Sequence, residues 1–214
     1  MNAMTSILKT CAARSIASLC LVAGLFVAQL ATAQTAAPNP VQEHVLPADS
    51  VYQLGVPLSD QNGRSFKWKE HLGRPVLVSM FYTSCKFVCP MLIDSMELTR
   101  QGLTPQERSQ LDLLLITFDP ERDDVKKLKS VAVSRQVDGG QWTLARADSI
   151  GSRKLAATLG IQYRQLPDGE FNHTTVMVLL DGQGRIVGRS KKMGVPDPDL
   201  IQLVQKTIRH QEGQ

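Results

Sequence analysis

The stretch Pro75–Pro90 reads PVLVSMFYTSCKFVCP, and it decides how the rest of the chain is interpreted. Its first half, Val76–Tyr82, is almost wholly apolar, as expected for a buried strand at the centre of a sheet. Cys85 and Cys89 follow, with three residues between them. Pro90 favours the start of a helix, because the first helical turn does not need the N–H that proline lacks. The sequence therefore predicts two thiols at a strand-to-helix junction, which suits a redox couple or two ligands of a soft metal.

The N-terminus predicts export from the cytoplasm. Lys9 and Arg14 precede an apolar run, Ile16–Leu30, which ends in the small-x-small pattern Ala-Thr-Ala of a signal-peptidase site. The run has about 15 residues, fewer than the roughly 20 that a membrane-spanning helix needs. We therefore expect residues 1–33 to be a cleavable secretory signal and the mature protein to be periplasmic. An uncleaved membrane anchor is the less favoured alternative.

Removal of the signal would leave only two cysteines. Cys11 and Cys20 lie inside the signal and would be lost with it, so the mature chain would keep Cys85 and Cys89. In an oxidising exported space such a pair normally ends as a disulfide. A bridge across so small a ring constrains little of the unfolded chain and stabilises little, which disfavours a purely structural disulfide.

Composition and charge limit the class of protein. The chain has 24 Lys and Arg against 20 Asp and Glu, a net charge of +4. Loss of Lys9 and Arg14 would leave 22 basic residues against 20 acidic ones, a charge of +2. That balance, without a basic and aromatic patch, argues against nucleic acid as a partner. Residues 34–50 are interpreted as a flexible leader, and residues 51–214 suit one domain with a core of its own.

Strand and helix patterns alternate along residues 51–214. The turn residues Asn62 and Gly63 predict a small N-terminal hairpin between Val51–Leu58 and Ser65–Trp68. Further strands are predicted at Leu111–Phe118, Trp142–Ala145, Thr174–Leu180 and Arg185–Arg189. Helices are predicted from Pro90 to Gly102, from the Thr104 capping box, after Asp123 and Asp124, from the cap Ser149 to Gly160, and over Asp197–Arg209. The pattern predicts an α/β fold in which helices cover a mixed sheet.

The histidines are the candidates for a third metal ligand, which two thiolates alone would need. His44 in the leader, His71 in a polar turn and His210 in the polar tail are interpreted as solvated surface residues. His173 lies in a loop before the apolar strand that ends at Leu180. In isolation a histidine there is more often structural or solvent-facing. Beside a reactive cysteine pair, the ligand interpretation becomes equally favoured.

Four segments together resemble the Sco/SenC family of copper-binding proteins, which are thioredoxin-like assembly factors for respiratory copper sites. The segments are Thr83–Pro90, the hairpin around Leu58–Arg64, the Asp-Pro-Glu-Arg-Asp run within Thr117–Asp123, and His173 ahead of an apolar strand and an Asp-Gly turn. The resemblance covers about Val51 to the C-terminus. It implies a thioredoxin-like fold with an extra N-terminal hairpin and a copper site made by Cys85, Cys89 and His173.

The resemblance also implies partners. These are a copper-receiving respiratory protein such as cytochrome c oxidase, and a thioredoxin-like reductant as a further candidate. Two features differ from the family's pattern. Asn172 stands where members often carry Asp or Gly, which bears on how the neighbouring imidazole is oriented. Many members keep a membrane anchor, whereas a cleavable signal implies a soluble protein that is peripheral to the membrane at most.

Two functions of different classes remain open. The first is a copper chaperone, a binding and delivery protein rather than an enzyme. The second is a thiol–disulfide oxidoreductase, in which Cys85 attacks a disulfide of the client's copper-ligand cysteines and Cys89 resolves the mixed disulfide. The three residues between the thiols, where thioredoxin-type reductants have two, disfavour the second. His173 discriminates between them, because a pure reductant needs no imidazole. Structural zinc is disfavoured, since it takes four protein ligands and only three are found.

Asp119 and three methionines have alternative interpretations. Asp119 is expected to cap the turn that Pro120 fixes, with a role in supporting the copper ligands or in docking a partner near the copper loop as the alternative. Local pairing is expected for the charged residues Glu121, Arg122 and Asp123. Met80, Met91 and Met96 are expected to pack in the core, and only Met91 is a candidate auxiliary ligand.

Overall fold

A computed structural model describes residues 45–212 of the chain. The expected signal peptide, residues 1–33, lies outside the described residues, with Cys11, Cys20 and His44. Within the described residues, no helix combines the length and apolar character needed to cross a bilayer.

Residues 45–212 form nine strands, and seven of these strands belong to one sheet. The strands are β1 (Pro57–Asp60), β2 (Ser65–Lys67), β3 (Val76–Phe81), β4 (Asp112–Thr117), β5 (Trp142–Arg146), β6 (Tyr163–Gln165), β7 (Phe171–His173), β8 (Met177–Leu180) and β9 (Ile186–Ser190). The sheet has the order β2-β1-β5-β4-β3-β8-β9, and β6 pairs with β7 in a separate antiparallel ribbon. β4 runs parallel to β3 and β5, while β8 runs antiparallel to β3. The sheet is therefore mixed, as predicted.

Five α-helices and two short 3₁₀ helices accompany the strands in the described part of the chain. The α-helices are α1 (Val88–Gln101), α2 (Pro105–Gln110), α3 (Val125–Ser134), α4 (Ser149–Leu159) and α5 (Pro198–Glu212). The predicted capping box of Thr104 and Glu107 is present at α2, and Gly102 ends α1 as predicted. Asp148, not Ser149, caps α4, because its Oδ1 accepts the Gly151 N–H at 2.6 Å.

The core is centred on β3 and β4. All six residues of β3 are buried, and so are five of the six in β4. Burial on both faces explains why the β3 sequence is apolar throughout instead of alternating. Met80 and Met96 are fully buried, which confirms their predicted packing. The same prediction is wrong for Met91, whose side chain lies 43% exposed on α1 with its methyl group beside Gly194.

The N-terminal hairpin is shorter than predicted. β1 begins only at Pro57, because Val51–Gln53 form a 3₁₀ helix whose cap, Ser50, accepts the Tyr52 N–H. Trp68 belongs to the second 3₁₀ helix, Trp68–His71, and not to β2.

His71 is not the solvated residue that its polar surroundings in the sequence suggested. Its Nδ1 lies 2.8 Å from Asp112 Oδ2, and its side chain is only 12% exposed. Asp112 also binds Arg74 Nη2 at 2.9 Å, so the histidine is part of a side-chain network at the start of β4. His210 is exposed on α5, as predicted.

Truncation of a central strand residue should destabilise the fold. We expect Leu115→Ala to lower the free energy of unfolding by about 2–5 kcal/mol, because Leu115 on β4 is fully buried and its loss leaves a cavity. Val133→Ala is the control, since Val133 is 56% exposed and should change stability by no more than about 0.5 kcal/mol. Urea denaturation measures both, and similar effects in the two variants would contradict this description of the core.

Candidate metal centre

The two cysteines lie where β3 gives way to α1. Cys85 is in the loop, and Cys89 is in the first turn of α1, which begins at Val88, two residues before Pro90. Phe87 occupies the N-cap position and provides no side-chain cap. The sulfur of Cys85 takes over part of that role, because it accepts the backbone N–H of Cys89 at 3.3 Å. The helix N-terminus therefore places partial positive charge beside Cys85 Sγ, which favours its thiolate.

The two thiols have different environments. Burial alone would raise the pKa of Cys85, but hydrogen bonds from the backbone N–H groups of Cys89 and Phe87 hold it below its usual value. Burial raises the pKa of Cys89 well above its usual value, and the nearby negative charges of Cys85 and Asp123 add to that rise. Cys85 is half-buried, whereas Cys89 is only 3% exposed. Cys85 is thus the accessible, more acidic thiol, and Cys89 is the enclosed one.

His173 is the last residue of β7 and not part of a loop as expected. It pairs with Tyr163 across the ribbon and is half-buried. Its ring lies edge-on to Tyr82, with centroids 5.8 Å apart, and 5.1 Å from the ring of Phe118. Burial lowers the pKa of His173, which favours the neutral imidazole that binds metals. Asn172 is exposed and, by strand alternation, lies on the opposite face from His173.

The structure brings the three sequence-predicted ligands together. The two sulfurs and a ring nitrogen of His173 all lie within 4.8 Å of one another. Within residues 45–212 this is the single cluster of three or more Cys, His or acidic residues with such spacing. Two soft thiolates and one imidazole suit Cu(I), while structural zinc would need a fourth protein ligand. The donor set therefore fits a soft metal.

Aromatic packing holds the ribbon against the main sheet. Phe118 follows β4 and stacks on Tyr163 of β6, with ring centroids 4.8 Å apart, and lies 5.1 Å from Phe171 of β7. Tyr82, which follows β3, donates a hydrogen bond from Oη to Glu170 Oε2 at 2.7 Å. These contacts fix the strand that carries His173. The sequence placed Tyr82 and Phe118 at strand ends, but it gave no sign of the ribbon that they contact.

The Asp-Pro-Glu-Arg-Asp run makes a turn beside the cysteine loop. The Asp119 carbonyl accepts the N–H groups of Arg122 and Asp123, and its carboxylate pairs with Arg122 Nε at 2.5 Å. Burial raises the pKa of Asp119, while the hydrogen bond from Arg122 opposes that rise. Asp123 bonds to Thr83 and Thr117 instead of pairing locally. Asp119 thus takes the predicted turn role, whereas Asp123 is a site residue that the sequence interpretation missed.

Two clefts adjoin the site. A cavity of about 160 Å³ lies beside the sulfurs and is lined in part by Tyr82, Thr83, Cys85 and Cys89. A larger cleft of about 710 Å³ shares Phe118 and Phe171 with the aromatic packing but contains none of the three clustered ligands. A ligand or client group would therefore reach the sulfurs through the smaller cavity or the surface next to it, and not through the larger cleft.

Comparison with known proteins gives one family and one fold. The SCO1/SenC family model matches residues 53–209. A Stutzerimonas stutzeri protein, named as a proposed copper-binding protein, is 36% identical over 73 residues, which cover 34% of this chain and 36% of that relative. The matched region is thus about a third of the relative's length.

Solved structures share the fold. Arabidopsis thaliana ScoI with copper bound has a TM-score of 0.64 at 19% identity, covering 72% of this chain and 96% of that one. Yeast Sco1 with copper bound has a TM-score of 0.61 at 18% identity, and the match covers 72% of this chain and 86% of that one. BsSco is described as a member of the Sco family of cytochrome c oxidase assembly proteins. It has a TM-score of 0.59 at 19% identity, and the match covers 72% of this chain and 91% of that one. The predicted thioredoxin-like fold is confirmed.

The different environments of the thiols predict different reactivities. In the reduced, metal-free protein we expect iodoacetamide to alkylate Cys85 at least about tenfold faster than Cys89, because the thiolate is the nucleophile. Peptide mass spectrometry over a time course measures both rates. In the matched variants, Cys89→Ser should keep the fast reaction and Cys85→Ser should lose it. Equal rates at the two positions would show that the thiols are not distinguished in this way.

Proposed function

The chain belongs to the SCO1/SenC family, and on that premise we propose that it binds one copper ion through Cys85, Cys89 and His173 and delivers it to a respiratory cuproprotein. The observation that carries the proposal is the approach of two sulfurs and an imidazole nitrogen to within 4.8 Å. The copper-bound relatives from Arabidopsis thaliana and yeast support copper as the cargo.

The proposed ligands suit both common oxidation states of copper. Two thiolates and a neutral imidazole give the site a charge of −1 with Cu(I) and of zero with Cu(II). The lowered pKa of His173 favours copper binding, because protons compete less with the metal for the ring nitrogen near neutral pH. Soft thiolates favour Cu(I) in particular.

The exposure of the proposed ligands suits delivery. Cys85 and His173 are half-buried, so a receiving protein's ligands can approach the ion from outside. Three protein ligands leave room for an incoming fourth. We propose cytochrome c oxidase as the client, supported by the description of BsSco as belonging to a family of oxidase assembly proteins.

A thiol–disulfide oxidoreductase is the second candidate, and the unequal thiols favour it. The Cys85 thiolate would attack a client disulfide and release one client thiol. Cys89 would then lose its proton and attack Cys85 in the mixed disulfide, releasing the second client thiol. The client gains two electrons and this protein keeps a Cys85–Cys89 disulfide. The position of His173 favours copper binding over this function, because reduction alone does not require the imidazole.

We propose a periplasmic location, which rests on the N-terminal sequence. The exported protein should begin at Gln34 and be recovered in the periplasmic fraction after cleavage of residues 1–33. Intact-mass measurement of the purified native protein tests this. Recovery of the uncleaved chain in the membrane fraction would instead establish an N-terminal anchor.

Loss of His173 should weaken copper binding without unfolding the protein. We expect one Cu(I) per monomer in the reduced protein, and His173→Ala should lower its affinity by at least about tenfold, since a ligand is lost. Anaerobic titration against a chromogenic Cu(I) chelator measures the affinity, and circular dichroism checks the fold. His210→Ala is the matched control, because His210 is exposed on α5.

The same titration separates the two candidate functions. Equal affinities for the wild type and His173→Ala would remove His173 from the site. Absence of Cu(I) binding by the wild-type protein would reject the copper proposal and favour the oxidoreductase function.

A further inference from the structure

Asp123 is a buried carboxylate beside the proposed copper site, and it has no cationic partner among residues 45–212. Five aspartates are buried among residues 45–212, and four of them form ion pairs at 3.3 Å or less. These pairs are Asp60 with Arg64, Asp119 with Arg122, Asp181 with Arg185, and Asp197 with Lys192. Asp123 is the most deeply buried of the five, at 1% exposure. No ion pair of the described residues includes it.

Neutral donors surround the carboxylate of Asp123. Its Oδ2 accepts the backbone N–H of Thr83 at 2.9 Å and the hydroxyl of Thr117 at 2.6 Å. Its Oδ1 contacts the hydroxyl of Thr83. The Thr117 hydroxyl also accepts the Asp119 N–H at 3.0 Å, so its own proton is free to point at Asp123. An ionised carboxylate, which only accepts hydrogen bonds, satisfies all of these contacts.

The position of Asp123 links it to the cysteines. Thr83 lies two residues before Cys85, so its two contacts with Asp123 fix the start of the loop that carries the first sulfur. Thr83 also lines the small cavity beside both sulfurs, so Asp123 lies directly behind one wall of that cavity. Buried charges in proteins are normally paired with an opposite charge or lie near a metal. A copper ion held by the three clustered ligands would offset the charge of the two thiolates, in part as Cu(I) and fully as Cu(II), and so lower their repulsion of the Asp123 carboxylate.

We propose that Asp123 is a selectivity residue of the copper site, whose fixed negative charge favours Cu(II) over Cu(I) and whose bonds to Thr83 position the Cys85 loop. This inference rests on the proposed copper function. The attraction between two charges scales with their product, so one carboxylate stabilises a divalent ion more than a monovalent one. Removal of the charge should therefore weaken Cu(II) binding more than Cu(I) binding, by a factor on the order of ten.

Asp123→Asn tests the charge with little change of shape. The amide oxygen can keep the bonds from the Thr83 N–H and the Thr117 hydroxyl, and the amide N–H can donate to the Thr83 hydroxyl. We expect the ratio of the Cu(II) to the Cu(I) dissociation constant to rise about tenfold, equivalent to a rise of about 59 mV in the one-electron potential. Competition with a chelator for each oxidation state measures the ratio, and the visible absorption of the Cu(II) form monitors the ligand set.

Matched variants separate charge from structure. Asp124→Asn removes the adjacent carboxylate, which caps α3 at its surface, and should leave the ratio unchanged. Thr117→Val removes a hydrogen bond to Asp123 but keeps the charge, so it should lower stability and also leave the ratio unchanged. Asp123→Ser is the second uncharged variant in case Asp123→Asn does not fold.

Each outcome decides between the proposals. A raised ratio in the uncharged variants alone supports the selectivity role. Equal weakening of both oxidation states, or no weakening, would reduce Asp123 to a structural residue while the copper function stands. A wild-type protein that binds neither ion would overturn the copper function, and the role of Asp123 with it.

Discussion

The packing of the ribbon against the ends of β3 and β4 is the constraint on which the candidate site depends. The cysteines and His173 are more than 80 residues apart in the chain, and the ribbon forms no part of the seven-stranded sheet. What holds His173 near the sulfurs is side-chain packing, chiefly the stack of Phe118 on Tyr163 and the contacts of Tyr82. Tyr82 directly follows β3 and Phe118 directly follows β4. The position of the imidazole is therefore fixed by contacts with the most buried part of the fold.

The local parts of this arrangement could be predicted from the sequence. An apolar strand, a Cys-x₃-Cys loop and a proline in the first helical turn each have a signature of a few consecutive residues, and each was found where it was expected. The resemblance to a known family added His173, which the spacing of residues alone left undecided. The resemblance to the family therefore predicted that Cys85, Cys89 and His173 lie close together, and the structure gives the distances between their ligand atoms.

What the sequence did not reveal depends on contacts between distant residues. His71 lies in a polar run, yet Asp112 at the start of β4 binds it; no pattern within the run indicates that partner. Met91 belongs to α1 but lies partly exposed, because Leu92, Ile93 and Met96 form the buried side of this helix. Asp123 looks like one charge of a local cluster, and only the fold brings it to Thr83, 40 positions earlier in the chain.

The electrostatic environments of the two thiols give them different protonation behaviour at the site. Metal binding requires both cysteines as thiolates, so a proton must leave wherever the thiol is still protonated. The lowered pKa of Cys85 and the raised pKa of Cys89 mean that this proton comes mainly from Cys89. The buried residue is thus the one at which protons compete with the metal, whereas the half-exposed residue is ready for an incoming ion or a client disulfide. Either of the two proposed functions would therefore begin at Cys85, and only the copper-binding function would use the imidazole of His173.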